Sequence, residues 1–132
     1  MTGDEKCTMD IKRRIGLAST MARKFNKIWK AKDVSNKTKV RLYETFVVPV
    51  LLYGSECWCL RKEDERKILT AEMTWLRKIL HVTRRDRIKT IDIRETLQQK
   101  ETMVDKIRRR RLTWFGHVSR MDKRRRPPKK II

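Results

Sequence analysis

The side chains with chemistry to offer in this sequence are its lysines and arginines, and the chemistry is phosphate binding. There are 36 of them against 16 Asp and Glu among 132 residues, a formal charge of +20 at pH 7. A field of that sign gathers polyanions, and each phosphate it neutralises releases condensed counterions, which supplies affinity without reading bases. At about 100° per residue, Lys12, Arg13, Arg23, Lys24, Lys27 and Lys30 fall in one sector of a helix. No acid stands between Ile11 and Lys32. Like charges three and four residues apart repel by a few tenths of a kcal/mol per pair, so a face without acids is mildly unfavourable until an anion covers it. A second block holds Arg108, Arg109, Arg110 and Arg111, then a tail with Arg124, Arg125 and Arg126. From Lys106 to Lys130 it carries twelve bases and one acid, Asp122. Trp114 and Phe115 follow the arginines closely. Stacking on unpaired bases is one use for them, and a place in the core is the expected one.

Other chemistries lack their residues. Cys57-x-Cys59 with His81 and His117 has no tight pair-plus-pair spacing of the structural zinc kind, and semi-buried thiols beside Trp58 account better for the cysteines. Two-metal phosphoryl chemistry needs convergent carboxylates, whereas Glu63, Asp64 and Glu65 are consecutive at a helix start and fan outward. The four glycines do not cluster into a phosphate loop, and neither histidine stands near a serine or cysteine in a nucleophilic arrangement. The expectation is no catalytic residue, no metal and no cofactor. The longest uncharged run, residues 45–55, is too short to span a bilayer, so no membrane is expected as a partner. The three cysteines do not close into a disulfide framework. Together with a polar N-terminus they point to an intracellular compartment, and the tail KRRRPPKK has the form of a nuclear-import signal.

Elements must position the basic face, and the apolar spacing supplies them. Ile11, Ile15, Ala18, Ala22, Phe25 and Trp29 recur at steps of three and four, one stripe of a helix opposite the basic sector, with Asp10 as its N-cap. Ser35 caps a second helix from Asn36, with Val40, Tyr43, Phe46, Val47, Val50 and Leu51 buried on more than one side. Pro49 should bend it, and Gly54 should stop it. A third helix fits residues 63–80, with acids leading and bases trailing as the helix dipole prefers. A short helix is expected over 90–99, burying Ile91, Ile93 and Leu97. A last one is expected over 101–121, with Met103, Ile107, Trp114, Phe115 and Val118. No run of period-two alternation is long enough for a sheet.

Several of these stretches resemble a known family. Ile11-Lys12-Arg13-Arg14-Ile15, Ala22-Arg23-Lys24-Phe25 and Leu52-Tyr53-Gly54-Ser55-Glu56-Cys57-Trp58 are similar to the region after the palm in non-LTR (LINE-type) retrotransposon reverse transcriptases. Leu76-Arg77-Lys78-Ile79-Leu80 and the run Arg110-Arg111-Leu112-Thr113-Trp114-Phe115-Gly116-His117-Val118-Ser119-Arg120-Met121 resemble later C-terminal segments of the same elements. The resemblance implies that residues 10–52 correspond to the polymerase thumb, a helical subdomain that grips the template–primer backbone. The family's fingers, its palm with the Tyr-x-Asp-Asp motif and its endonuclease do not occur in this sequence, so the chain by itself is expected neither to polymerise nor to cut.

The expectation is therefore an all-α protein, a small thumb-like helical bundle with further helices and a basic, partly disordered tail. Its divisions are a disordered leader at 1–9, a thumb-like region at 10–60, a post-thumb region at 61–121 and the tail at 122–132. Its expected partner is nucleic acid, RNA or DNA, met through the backbone. The alternative is a helical protein-interaction module or self-associating remnant, docking through apolar surface around Tyr43, Phe46 and Val50.

Overall fold

The stripe that opens at Ile11 does lie against a core, but its helix begins earlier and ends sooner than the spacing predicts. The computed structural model describes residues 3–125, with side chains placed at 5–83 and 85–117. Helix α1 runs Gly3–Lys24, so residues 3–9, expected as a leader, are helical; residues 1–2 lie outside the description. Asp10 sits inside this helix rather than at its cap, and its carboxylate accepts the Trp58 indole N–H at 2.8 Å. Two residues earlier, the Thr8 hydroxyl accepts from Arg61 at 2.7 Å and donates to Asp64 at 3.1 Å. These partners are about fifty residues away in sequence, which is why local patterning gave no sign of the extra turns.

At Phe25 the backbone leaves the helix (φ −102°, ψ 16°) and resumes as α2, Asn26–Lys30. The Ala22 carbonyl, which an unbroken helix would pair with Asn26, accepts instead from the Phe25 N–H at 3.2 Å and the Trp29 indole at 2.8 Å. The Trp29 side chain thus replaces a backbone donor and turns the stripe's last residue inward.

Ser35 caps α3, Asn36–Leu42, as its type suggests, accepting from Thr38 N–H at 3.2 Å. The chain then widens into a π turn, Tyr43–Val47, before α4, Val48–Leu52. A proline clashes with the carbonyl four residues before it and leaves that carbonyl without a donor. The π turn absorbs this mismatch ahead of Pro49, so the helix shifts register instead of breaking. Gly54, at φ 74°, ends α4 in the left-handed region that costs other residues about 1–2 kcal/mol.

Helices α5, Lys62–Leu80, α6, Thr90–Thr96, and α7, Met103–Arg125, complete the chain. Both α5 and α6 stop on residues with positive φ that are not glycine, His81 at 57° and Gln98 at 56°. In each case the next N–H folds back on the helix, Val82 to the Arg77 carbonyl at 3.0 Å and Gln99 to the Arg94 carbonyl at 2.8 Å. This is the reverse-turn termination usually built on glycine. At the start of α7, Thr102 and Asp105 exchange backbone-to-side-chain hydrogen bonds, both 3.1 Å. That starts the helix at Met103, two residues later than the sequence suggests, and it runs on through Arg125 into the segment expected as tail. Among the described residues there is no strand, and the fold is all-α.

One cluster of buried side chains runs from Ile11 to Ile107 and draws on α1, α2, the π turn, α4, α5, α6 and α7, with Val40 and Leu42 of α3 packed against it partly buried. Trp29, Trp58 and Trp75 are each 2% exposed. Burying an indole stabilises by at most about 4–6 kcal/mol relative to the extended chain, and each of the three also finds a hydrogen-bond acceptor on α1. α1 is therefore fixed on the core through its apolar side.

Some sequence expectations do not hold. Trp114 and Phe115 are not core but stand exposed on α7, and Ile91 is exposed on α6. Tyr43 is fully buried, so the apolar surface expected around it shrinks to Phe46, whose ring packs 5.4 Å from that of Phe25. Cys57 and Cys59 are exposed rather than semi-buried. The Val118 side chain lies outside the described residues.

The core also encloses charge. Glu72 on α5 is fully buried, accepting two hydrogen bonds from Arg94 on α6 (2.8 and 3.1 Å) and one from the first N–H of α7, Met103, at 3.1 Å. Arg94 also donates to the Gln99 carbonyl at 3.1 Å. Burial, and next the negative charge of Glu72, pushes the Tyr43 phenol well above its usual pKa, which keeps it neutral.

Candidate nucleic-acid interface

Because α1 is anchored by its apolar side, its other side is left to solvent. Lys12, Arg13, Arg23 and Lys24 share that face of one continuous helix, and Lys27 and Lys30 follow, three residues apart, on α2. All six are exposed. None of the six forms an ion pair among the described residues. Arg23 makes one contact within its own helix, donating to the Thr20 hydroxyl at 3.1 Å. From Lys12 to Lys24 the helix rises about 18 Å, the span of roughly five phosphates along one strand of a duplex.

Basic residues off this face do other work. Arg14 donates through Nε to the Val50 carbonyl at 2.8 Å and through its terminal nitrogen to the same oxygen. Its guanidinium also lies 5.1 Å from the centre of the Tyr53 ring. It binds α1 to the end of α4, where carbonyls lack helical donors. Lys39 is buried, and its ammonium donates to the Trp29 carbonyl at the end of α2, 2.9 Å away.

Helix α5 adds two cations that the sequence did not single out. A groove of about 400 Å³ between α1 and α5 is lined by Lys12, Ile15, Arg66, Lys67, Thr70 and Ala71. In sequence Arg66 and Lys67 follow Glu63, Asp64 and Glu65 and read as part of a mixed-sign surface. The fold removes two of those acids. Asp64 is 1% exposed and hydrogen-bonded to Thr8 and the Arg61 N–H, while Glu65 pairs with Arg108. The groove keeps its bases and loses most of its acids.

The arginine run, expected to reach for phosphate, is instead tied to the protein. Arg108 pairs with Glu65 and Arg109 with Glu101. Arg110 donates to the Leu52 carbonyl at 3.1 Å and lies 3.9 Å from Glu56, while Arg111 donates to the Trp58 carbonyl at 2.9 Å. The hydrogen bond from Arg109 is the main reason the Glu101 carboxyl sits below its usual pKa, and Glu101 raises that of Arg109 in return. Arg108, Arg110 and Arg111 clamp α7 onto α5, the end of α4 and the turn after it, while Arg109 holds the segment just before α7; Arg108, Arg109 and Arg110 are still about half exposed or more. Arg124 and Arg125 belong to α7, but their side chains, and all of Arg126 and the tail beyond it, lie outside the described residues.

Among the described residues, no three histidines, cysteines or acids gather as metal ligands. No described helix is long and apolar enough to cross a membrane.

Fold and site together define a small all-α protein that presents an acid-free basic face on its first helix. A Caenorhabditis elegans protein named as an uncharacterized, transposon-derived protein is 31% identical to it over 88 residues, covering 64% of this chain. The match spans 31% of that relative's length. No protein-family model and no solved structure matches the chain.

Proposed function

We propose that this chain is a non-catalytic, mobile-element-derived nucleic-acid binder that grips phosphate backbones through α1, α2 and the adjoining groove on α5, as a reverse-transcriptase thumb grips a template–primer. The observation that carries the reading is the set of six exposed bases on α1 and α2 that form no ion pair among the described residues. The transposon-derived relative supports the origin, and the resemblance to LINE-type elements supports the thumb assignment. Polymerase chemistry would lie with a palm not present in this sequence. The basic tail suits an intracellular, nuclear location.

Phosphate contacts position a protein without carrying base information, so binding is expected to be tight at low salt and indifferent to sequence. With about six phosphates neutralised, log K should fall against log salt with a slope near −5, roughly a thousandfold loss between about 50 and 200 mM. Fluorescence anisotropy on a short labelled duplex measures this. A slope shallower than about −2 rejects the reading.

A further inference from the structure

Trp114 and Phe115 stand consecutively on the outside of α7, 40% and 49% exposed, where apolar spacing would have buried them. Their rings meet edge to face, centroids 5.1 Å apart at 67°. The Arg111 guanidinium lies 5.5 Å from the centre of the Phe115 ring, and Arg111 is itself fixed to the Trp58 carbonyl. Trp114 opens instead onto a cleft of about 510 Å³ lined by Glu56, Arg109, Arg110, Thr113 and His117.

We propose that this cleft is a second nucleic-acid site, one for single strands, in which an unpaired base stacks on Trp114 while Arg109 and Arg110 hold the flanking phosphates. The inference rests on the backbone-binding reading above and adds to it the strandedness of a further site. Three observations point to a single strand. An aromatic face is useless to a closed duplex, whose bases present no free π surface, but is the main attraction for an unstacked one. The side chains of Arg109 and Arg110 are 64% and 46% exposed although each is anchored, so both are held in place and remain open to an anion. Glu56 lines the cleft with 34% of its side chain exposed, although its Oε1 atom is itself shielded from solvent, with Arg110 at 3.9 Å. It stands at the cleft as an acceptor for the ring or exocyclic N–H of a base, the role carboxylates take on base edges. Charge complementarity selects the occupant: a chain of net +20 with two half-exposed guanidiniums, each meeting one carboxylate, beside an aromatic plate fits a polyanion carrying flat apolar rings.

The chain contains a built-in reporter. Of its four tryptophans, Trp29, Trp58 and Trp75 are buried and Trp114 alone is exposed, so quenching of emission by a stacked base reads Trp114. Titrating the full chain with an oligothymidylate of about twelve nucleotides should quench emission in a saturable way. Trp114→Ala should abolish that quenching and weaken single-strand binding by about five- to a hundredfold, the usual value of one stacked base. It should alter affinity for a short duplex less than twofold, and Trp114→Phe, which keeps a stacking face, should retain most of the single-strand affinity. Neutralising the α1 face should do the reverse, reducing duplex affinity while the quench persists. Duplex binding without any oligothymidylate quench overturns this proposal alone. Equal losses for both ligands in a Trp114→Ala protein of unchanged circular dichroism also overturn it. Failure to bind either ligand overturns it together with the backbone-binding reading.

Discussion

Replacing Glu72 by alanine should lower stability by about 3–5 kcal/mol, the usual cost of leaving a buried partner charge uncompensated. Glu72 is fully buried, and its partner Arg94 has only 12% of its side chain exposed. The truncation strands that guanidinium and removes the acceptor for the Met103 N–H at the start of α7. One side chain here joins α5, α6 and α7, so no neighbouring contact replaces it. Domains are stable by only about 5–15 kcal/mol in total, which makes the loss a large share. Urea denaturation should show the midpoint falling sharply with little change in slope, the mark of altered stability rather than altered unfolded state. Glu72→Gln, which keeps an acceptor but not the charge, should cost less, since charge-assisted hydrogen bonds are about twice as strong as neutral ones. Converting both partners to methionine should cost least, because an apolar pair of similar volume leaves nothing unsolvated. If Glu72→Ala unfolds at the native urea concentration, the polar network is not what holds the three helices together.

Changing Lys12, Arg13, Arg23 and Lys24 together to alanine should reduce duplex affinity by about four-thousandfold at 0.1 M salt. Each lost phosphate contact removes roughly 0.9 from the salt slope, and the same number of log units at that salt concentration. The fold should tolerate the change. All four side chains are exposed and form no ion pair among the described residues. Alanine is the best helix former, and removing like charges relieves repulsion along α1. Unchanged or slightly raised thermal stability beside collapsed affinity is the expected pattern. A drop below tenfold would mean the duplex lies elsewhere.

How much of this was legible in the sequence depended on how local the cause was. The stripe from Ile11 to Trp29 and the opposite sector of bases follow from helical periodicity, and both are where that period puts them. Ser35 and Gly54 act as cap and stop because their roles depend on their own atoms and φ. Features decided by distant partners were hidden. The first turns of α1 are held by Thr8 meeting Arg61 and Asp64, more than fifty residues away. The end of α5 fell at Leu80 as its spacing indicated, whereas α6 stops at Thr96, short of 99, with no glycine to announce it. Charge counting does not show which bases stay open. The Arg108–Arg111 run looked free, yet each member found an acceptor on another segment. Arg66 and Lys67 drew no attention in the sequence, yet two of their neighbouring acids turn inward or across to α7 and leave them open. Net charge is a property of sequence, but which charges remain open is a property of packing.

Amine footprinting on the bound duplex tests most directly where the polyanion sits. Acetylation of the exposed lysines, read by mass spectrometry with and without DNA, should show Lys12, Lys24, Lys27 and Lys30 protected. Lys89 and Lys100, equally exposed but on the segments around α6, should react as in the free chain. Uniform protection, or protection of Lys89 and Lys100 with the α1 and α2 lysines left reactive, would contradict an interface built on the first helix.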